Sequence, residues 1–584
     1  MRKRRTTVVA AGIALALGLT ACGGDSDDNS NDNGNKSVDV AYDAGNKGVV
    51  NPSDKAGGTL RYALTDEPDS MDPGDTYYAF NWDFTRTYAR PLVSFPNKTG
   101  EEGLKATPDL AESLGVASDG NKTWTYKLKP GLKYEDGTPI TSKDVKYAVA
   151  RSNYGGVLIN GPKYFAQYLD AADYKGPYKD KNLDNFKGIE TPDDQTIVFK
   201  LTQPFAEFDY LATNPQTAPV PQAKDTGLKY QEHPMSTGPY KFESYQVGQK
   251  ATLVKNDQWD AKTDPLRKQL VDKIEITMKV DANDIDNRLL SGALDLALDG
   301  TGVQAQTRAK ILGSEDLKKN ADNPVTGFLR YAMLSTQVPP FDNIECRKAV
   351  QYGVDRVATQ AAWGGEVGGA IATTALPPNI LGYEKTTTWE AGPDNRGDEA
   401  KAKEALAACG QPDGFTTNIA VRGDRPKDVA TGEAIQASLD KIGIKAQIKK
   451  YPSGDWSAQY AGVPSFVHKN KLGIIIAGWG ADWPSGFGFL SQIVDGRAIG
   501  ASGNYNQMEL NDPSINALLD KGIQTEDTDE RNKIWAEVDK KVMESAALLP
   551  VVYEKTLLYR PENLTNVFIN PAYGMYDYTQ VGVQ

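Results

Sequence analysis

The stretch Gly478-Trp479-Gly480-Ala481-Asp482-Trp483-Pro484 gathers the most suggestive chemistry in the chain. Asp482 offers a carboxylate that an ammonium can pair with, and the faces of Trp479 and Trp483 also favour a cation. Gly478 and Gly480 permit a close backbone approach. The stretch directly follows Leu472 to Ala477, a short apolar run suited to a strand buried on both faces. In open α/β sheets, ligands sit beyond the carboxyl ends of strands, and these residues fall there. The plainer alternative is a structural loop whose tryptophans pack inward and whose aspartate caps a turn. Arg422 follows another expected strand, Phe415 to Val421, and could meet a carboxylate; a solvated surface arginine is the alternative. A dense aromatic run, Tyr77, Tyr78, Phe80 and Trp82, follows the turn Asp72-Pro73-Gly74, and at least half of such a run belongs to a core.

Other chemistries are hard to build from these residues. The 584-residue chain has only two histidines, His233 and His468, which leaves little for zinc sites or histidine-based triads. No metal site and no cofactor is expected. A Gly-x-x-x-x-Gly-Lys-Ser/Thr phosphate loop is absent, because Pro162 stands where the lysine of Gly156 to Lys163 would need to be. No Gly-x-Ser-x-Gly elbow occurs. The 65 basic and 77 acidic residues give a net charge of −12, the wrong sign for a nucleic-acid binder. Those acids leave a carboxylate pair for glycoside hydrolysis open, so a secreted hydrolase is the rival from another class. Turnover of peptides or glycosides would favour it; stoichiometric binding would not.

Arg2-Lys3-Arg4-Arg5 followed by the twelve-residue apolar run Val8 to Leu19 has the layout of a secretory signal, and the run is short for a spanning helix. Leu19-Thr20-Ala21-Cys22-Gly23 resembles the lipobox of exported bacterial lipoproteins. That resemblance implies cleavage after residue 21 and a diacylglyceryl anchor on Cys22; a conventional signal with a chance cysteine is the alternative. Gly23 to Ser37 contains no apolar residue, so residues 22–57 read as a flexible tether to a body starting near Gly57-Gly58.

The body reads as α/β with several lobes, and the length suggests three or four units at about 150 residues each. Trp124 to Lys129, Thr196 to Leu201 and Ile274 to Val280 alternate as strands. Thr141 to Asp144 forms a capping box before a helix from Val145 to Arg151. Leu289-Leu290, Gly292 and then Leu294 to Leu298 read as helix, cap and strand. A helix over Ala402 to Cys409 stops at Gly410. Phe415 to Val421, the stripe Ile435, Leu439 and Ile442, and then Ile444 to Ile448 form a strand–helix–strand crossover. Ile534, Val538 and Val542 mark a long helix ending near Leu549-Pro550.

Several phrases resemble one family in order and spacing. They are Gly58 to Tyr62 with Glu67 to Pro73, Pro108 to Ser113, Leu128 to Pro139 with Asp144-Val145, Ser236 to Tyr240, Lys255 to Trp259, and Cys346 to Val350 with Val354-Asp355-Arg356. Together they resemble the extracellular solute-binding proteins of the peptide/nickel class, receptors for ABC importers. The resemblance implies no enzyme. It implies a two-lobed, hinged periplasmic-binding-protein type II fold with a third, smaller domain. Transferred here, the first lobe takes 58–95, 225–325 and 555–584, the extra domain 96–224, and the second lobe 326–554. In peptide-binding members an aspartate matching Asp482 pairs with the peptide's amino terminus, and the region of Tyr77 and Phe80 walls the cleft. The family phrase usually carries a second acid that Asp482-Trp483-Pro484-Ser485 lacks, which leaves the ligand open between oligopeptide and oligosaccharide, the latter stacking on Trp479 and Trp483. The implied partners are a solute, the membrane permease subunits and, through lipid, the membrane, with the receptor a monomer on the outer face of the cytoplasmic membrane. In that oxidising compartment Cys346 and Cys409 are expected to form a disulfide, two buried thiols being the alternative.

Overall fold

The computed structural model describes residues 37–171 and 173–584; the expected signal run and Cys22 lie outside them. Three larger sheets organise the chain. The first orders its strands Tyr240–Gln246, Lys250–Lys255, Lys273–Thr277, Thr59–Ala63 and Leu296–Ala297. Thr59–Ala63 lies parallel to Lys273–Thr277, with Leu60 beside Ile274 and Tyr62 beside Ile276. That register puts all four side chains into one core, as period-two alternation requires. The second sheet is antiparallel and orders Val116–Ser118, Thr123–Lys127, Thr196–Lys200 and Ile189–Glu190. Trp124 sits opposite Phe199 there, and Tyr126 opposite Ile197.

The third sheet positions the candidate site. Its order is Gly369–Ile371, Leu548–Lys555, Val325–Leu334, Ile474–Gly480, Thr416–Arg422 and Lys445–Tyr451. The expected crossover is present: Thr416–Arg422 and Lys445–Tyr451 are parallel and flank the helix Pro426–Asp440. The expected helix end near Leu549-Pro550 is not observed. The helix Thr528–Glu544 ends before residue 549, and Leu548–Lys555 is a strand with Pro550 inside it. The register against Val325–Leu334 shifts between Arg330 and Tyr331, where Pro550 stands, so the missing N–H falls at an irregularity of the ladder.

The chain passes between the first and third sheets twice, and the two crossings pair with each other. Ala321–Asp322 lies antiparallel to Leu558–Tyr559. The buried Asp322 carboxylate accepts from Gly45 N at 2.7 Å, Arg560 Nε at 2.8 Å and the Tyr576 hydroxyl at 2.8 Å. Gly45 lies within the expected tether, which corrects that expectation. Asp43 N donates to Ala321 O at 2.9 Å, and Val50 bridges to Val567. Val49 and Val50 are buried. The apolar-free composition ends at Ser37, and Tyr42, Val49 and Val50 supply apolar surface to bury near the crossings, while Val40 stays exposed.

The Asp72 motif has a structural use. The helix Ser142–Asn153 opens with the expected capping box, Thr141 N donating to Asp144 Oδ2 at 2.8 Å. Its Arg151 clasps Asp72 through two bonds of 2.9 and 2.8 Å and pairs with Asp225 at 3.0 Å. Bidentate guanidinium–carboxylate pairs fix geometry as well as charge.

Cys346, on the helix Ile344–Gly353, is bonded to Cys409 at the end of the helix Glu399–Ala408, with Cα atoms 5.3 Å apart. The bridge closes a separation of 63 residues, for which the chain-entropy model gives about 3–4 kcal/mol. Replacing both cysteines with serine should lower the urea-unfolding free energy by about that amount. Denatured, unreduced protein carrying Cys22→Ser should titrate no free thiol; two thiols would show that the bridge does not form.

Candidate functional site

The strand Ile474–Gly480 is buried on both faces at its start: Ile474, Ile475 and Ile476 are 0–2% exposed. It lies between Val325–Leu334 and Thr416–Arg422, so its carboxyl end opens at the edge of the sheet's core. The chain then turns through Ala481, Asp482, Trp483 and Pro484. A buried glutamate below holds this turn. Glu207 Oε2 accepts from Trp483 Nε1 at 3.1 Å and from Ser485 Oγ at 2.5 Å. Its Oε1 accepts from Trp535 Nε1 at 3.0 Å, with Arg531 Nε at 3.3 Å.

Above the turn, Asp482 Oδ1 accepts from the Tyr77 hydroxyl at 2.6 Å. The Tyr164 hydroxyl lies 3.2 Å from that of Tyr77, near enough to Asp482 for the carboxylate, after desolvation, to raise its pKa. Tyr77 is itself positioned by the Glu67-to-Pro73 phrase. Its backbone N–H donates to Asp69 Oδ2 at 2.6 Å, while Thr76 Oγ1 donates to Asp69 Oδ1 at 2.6 Å. Among the described residues Asp482 therefore meets hydroxyls and no cation. Desolvation raises its pKa and outweighs the hydrogen bonds from Tyr164 and Tyr77. Desolvation, and then the Asp482 charge, raise both tyrosines well above the ordinary phenol value. Beside this cluster is a cavity of about 70 Å³, walled by Trp82, Phe95, Trp483, Tyr573 and Ala481, with Asp482 at its edge. A small, partly open and mostly apolar space beside one charged group can take a small side chain next to an ammonium.

The other expected residues divide. Tyr77 is 44% exposed and meets Asp482. Phe80 stacks on Tyr78 at 5.6 Å and leans on the first sheet's core. Trp479 packs against Tyr505 at 5.0 Å, and its Nε1 is enclosed without a hydrogen-bond partner among the described residues. Trp483 borders the cavity but is 7% exposed, edge-on to Tyr164, so it and Trp479 do not form an open pair of faces for a sugar ring. The glycines also have a packing use within the sheet. A Cβ at Gly480 would stand 2.9 Å from the Phe328 ring, and one at Gly478 would lie against Arg330 Nη1, so both make room for side chains of the neighbouring strand. Arg422 is not the free cation its expected role requires: its Nε pairs with Asp428 at 2.5 Å, and the guanidinium packs over Trp456.

Sequence reasoning missed Tyr164 and Glu207. Glu207 carried a signal, an acid within the apolar phrase Phe205-Ala206-Glu207-Phe208. Such an acid is buried only with partners. Tyr164 carried none, since it reaches Asp482 across more than 300 positions of sequence.

The chain belongs to the bacterial extracellular solute-binding proteins, family 5, whose "family 5 Middle" model matches residues 105–501. Its fold is that of the type II periplasmic binding proteins. It is 41% identical to the clavulanic acid biosynthesis oligopeptide binding protein 2, over 93% of this chain and 98% of that one, with a TM-score of 0.89. The glutathione-binding protein GsiB of Salmonella paratyphi A is 26% identical over 518 residues, covering 86% of this chain and 91% of the relative. The murein tripeptide binding protein MppA, in an unliganded open form, shares the fold at a TM-score of 0.73 and 19% identity, over 91% of this chain and 98% of that one.

Removing one partner of a buried charged cluster strands the others. Glu207→Ala should therefore cost about 3–5 kcal/mol in chemical unfolding. A cost below about 1 kcal/mol would show that the turn does not depend on this clasp.

Proposed function

We propose that the protein is a lipid-anchored, extracytoplasmic receptor of an ABC importer that captures short peptides and places their free amino terminus on Asp482. One observation carries this reading: a desolvated carboxylate at a strand end, ringed by the hydroxyls of Tyr77 and Tyr164 and edged by a small apolar cavity. A ligand ammonium supplies the missing countercharge, and the cavity receives the first side chain. Printed names of its relatives support a peptide ligand: one binds oligopeptides, one glutathione and one a murein tripeptide.

Capture follows from hinge closure about the paired crossings at Asp322. Excluding water strengthens the Asp482–ammonium pair. Main-chain hydrogen bonds hold the peptide without reading its sequence, and bridging waters keep side-chain selection broad. The ligand shifts the open–closed balance only by its differential affinity for the two states. The loaded monomer then docks on its permease, and a lipid on Cys22 raises the effective concentration at that surface.

Asp482→Ala should weaken tripeptide binding by about 2–5 kcal/mol in calorimetry, and N-acetylation of the peptide should do the same. Unchanged affinity in both would sink the assignment. Pairing needs the carboxylate ionised, and the pKa of Asp482 is raised. Affinity should therefore fall, as pH is lowered, at a higher pH than an ordinary aspartate would give, while the ammonium stays protonated. Asp482→Asn should remove that dependence.

The mature protein should partition into detergent, and Cys22→Ser should move it to the aqueous phase. Partition unaffected by that change would end the anchoring proposal.

A further inference from the structure

Most buried guanidinium groups in this chain meet a carboxylate. Eight arginines are buried among the described residues, and Arg86, Arg90, Arg151, Arg267, Arg531 and Arg560 each pair with an acid. Arg347 and Arg356 do not. Arg347 donates to the carbonyls of Ser545 and Phe341, and the charge of Asp342 still acts on it.

Arg356 stands further apart. It is 4% exposed and begins the helix Arg356–Trp363. Its Nη1 donates to Pro550 O at 2.8 Å, and its Nη2 donates to Gln351 Oε1 at 3.2 Å. Both acceptors are neutral. Its Nε is enclosed and has no hydrogen-bond partner among the described residues. Desolvation pushes its pKa down to about 10, and no acid's charge offsets that fall. The neighbouring acids are engaged elsewhere. Asp355 caps Ala358 N at 2.8 Å and lies 3.8 Å from Arg396, while Asp539 accepts from the N–H groups of Ala375 and Leu376. A buried cation without a countercharge is costly, and so is a buried donor without an acceptor.

A second, independent observation is a small cavity that Arg356 lines. Its volume is about 10 Å³, room for one small sphere. Thr373, Thr387, Asn395 and the Trp389 ring form other parts of its wall. The last three belong to the loop between the strand Gly369–Ile371 and the helix Glu399–Ala408. That loop is pinned at both sides of the cavity. Trp389 Nε1 donates to Met543 O at 2.6 Å, and Asn395 O accepts from Arg356 N at 2.8 Å. Thr387 and Asn395 are exposed, so the space is reached from solvent.

We propose that Arg356 and this cavity form a seat for one small monovalent anion of the chloride type, which ties the loop to the third sheet. The ion supplies the countercharge that Arg356 lacks and an acceptor for Nε. In a poorly solvated space that attraction is much stronger than in water. The hydroxyls of Thr373 and Thr387 and the Asn395 amide are further donors. A tetrahedral oxyanion or a carboxylate has several heavy atoms and is too large for the space. The seat shares no residue with the Asp482 cluster, so it stands apart from the peptide reading.

Thermal melting of the full mature chain carrying Cys22→Ser, in sodium chloride and in sodium gluconate at equal ionic strength, tests this. Chloride should raise the melting temperature above the gluconate value by about 1–3 °C, saturating with concentration. Arg356→Gln should remove that increment, whatever it does to the baseline. Should this variant not fold, crystals of the protein with native Arg356, soaked in bromide, decide: the anomalous signal should place an ion at hydrogen-bond distance from Arg356 Nε. Equal melting in the two salts overturns the seat, as does a chloride increment that survives Arg356→Gln or a bromide signal absent from Arg356. A bromide signal there without the chloride increment in solution marks binding at crystal concentration only and overturns it too.

Discussion

A carboxylate taken out of water needs a countercharge or a full set of donors, and this requirement organises the molecule. Remote segments are locked together by buried acids, each with its arginine: Asp72 with Arg151, Asp109 with Arg90 and Arg267, Asp322 with Arg560, and Glu207 with Arg531. Asp482 breaks that pattern. Its partners are two phenolic hydroxyls, which soften the desolvation without cancelling the charge. Burial alone does not make a site, as Asp539 shows. It is fully desolvated and pushed up to about 7, yet the backbone N–H groups of Ala375 and Leu376 fill its valences. Asp482 differs by lying at a strand end, beside a cavity, among side chains from three distant stretches of chain.

Those stretches explain why the site needs so discontinuous a chain. Tyr77 comes from the turn that Asp69 holds, Tyr164 from a short helix after the second sheet begins, and Asp482 from the third sheet. Arg151 on Asp72 and Glu207 under Trp483 fix the first two supports relative to the third. The motifs recognisable in sequence are in large part these supports rather than the ligand contacts.

That division sets what the sequence makes legible. Strands with clean alternation, such as Thr123–Lys127 and Lys273–Thr277, and the capping box at Thr141 are local properties, and the structure reproduces them within one to three residues. Asp482 was legible because a charged residue between tryptophans after an isoleucine run is locally anomalous. Pro550 misled, since a proline usually stops an element, and only a register shift in the partner strand accommodates it. The order of residues 41–57 was hidden because their burial depends on crossings more than 250 positions away. Arg422 illustrates the same limit: a cation at a strand end is visible in sequence, but Asp428, which neutralises it, is visible only as a neighbour in space.

Charge acts locally in this molecule. At physiological ionic strength fields fade over about 8 Å, so the overall charge of −12 contributes little at any one buried group, whereas neighbours act at contact range. At the carboxyl end of Ile474–Gly480 two charged side chains of opposite sign stand close in register: Arg330, beside Gly478, is paired with Glu554, and Asp482, just beyond Gly480, accepts from the Tyr77 hydroxyl. The local field there is set by whichever charge lacks a counterion, and among the described residues that is Asp482.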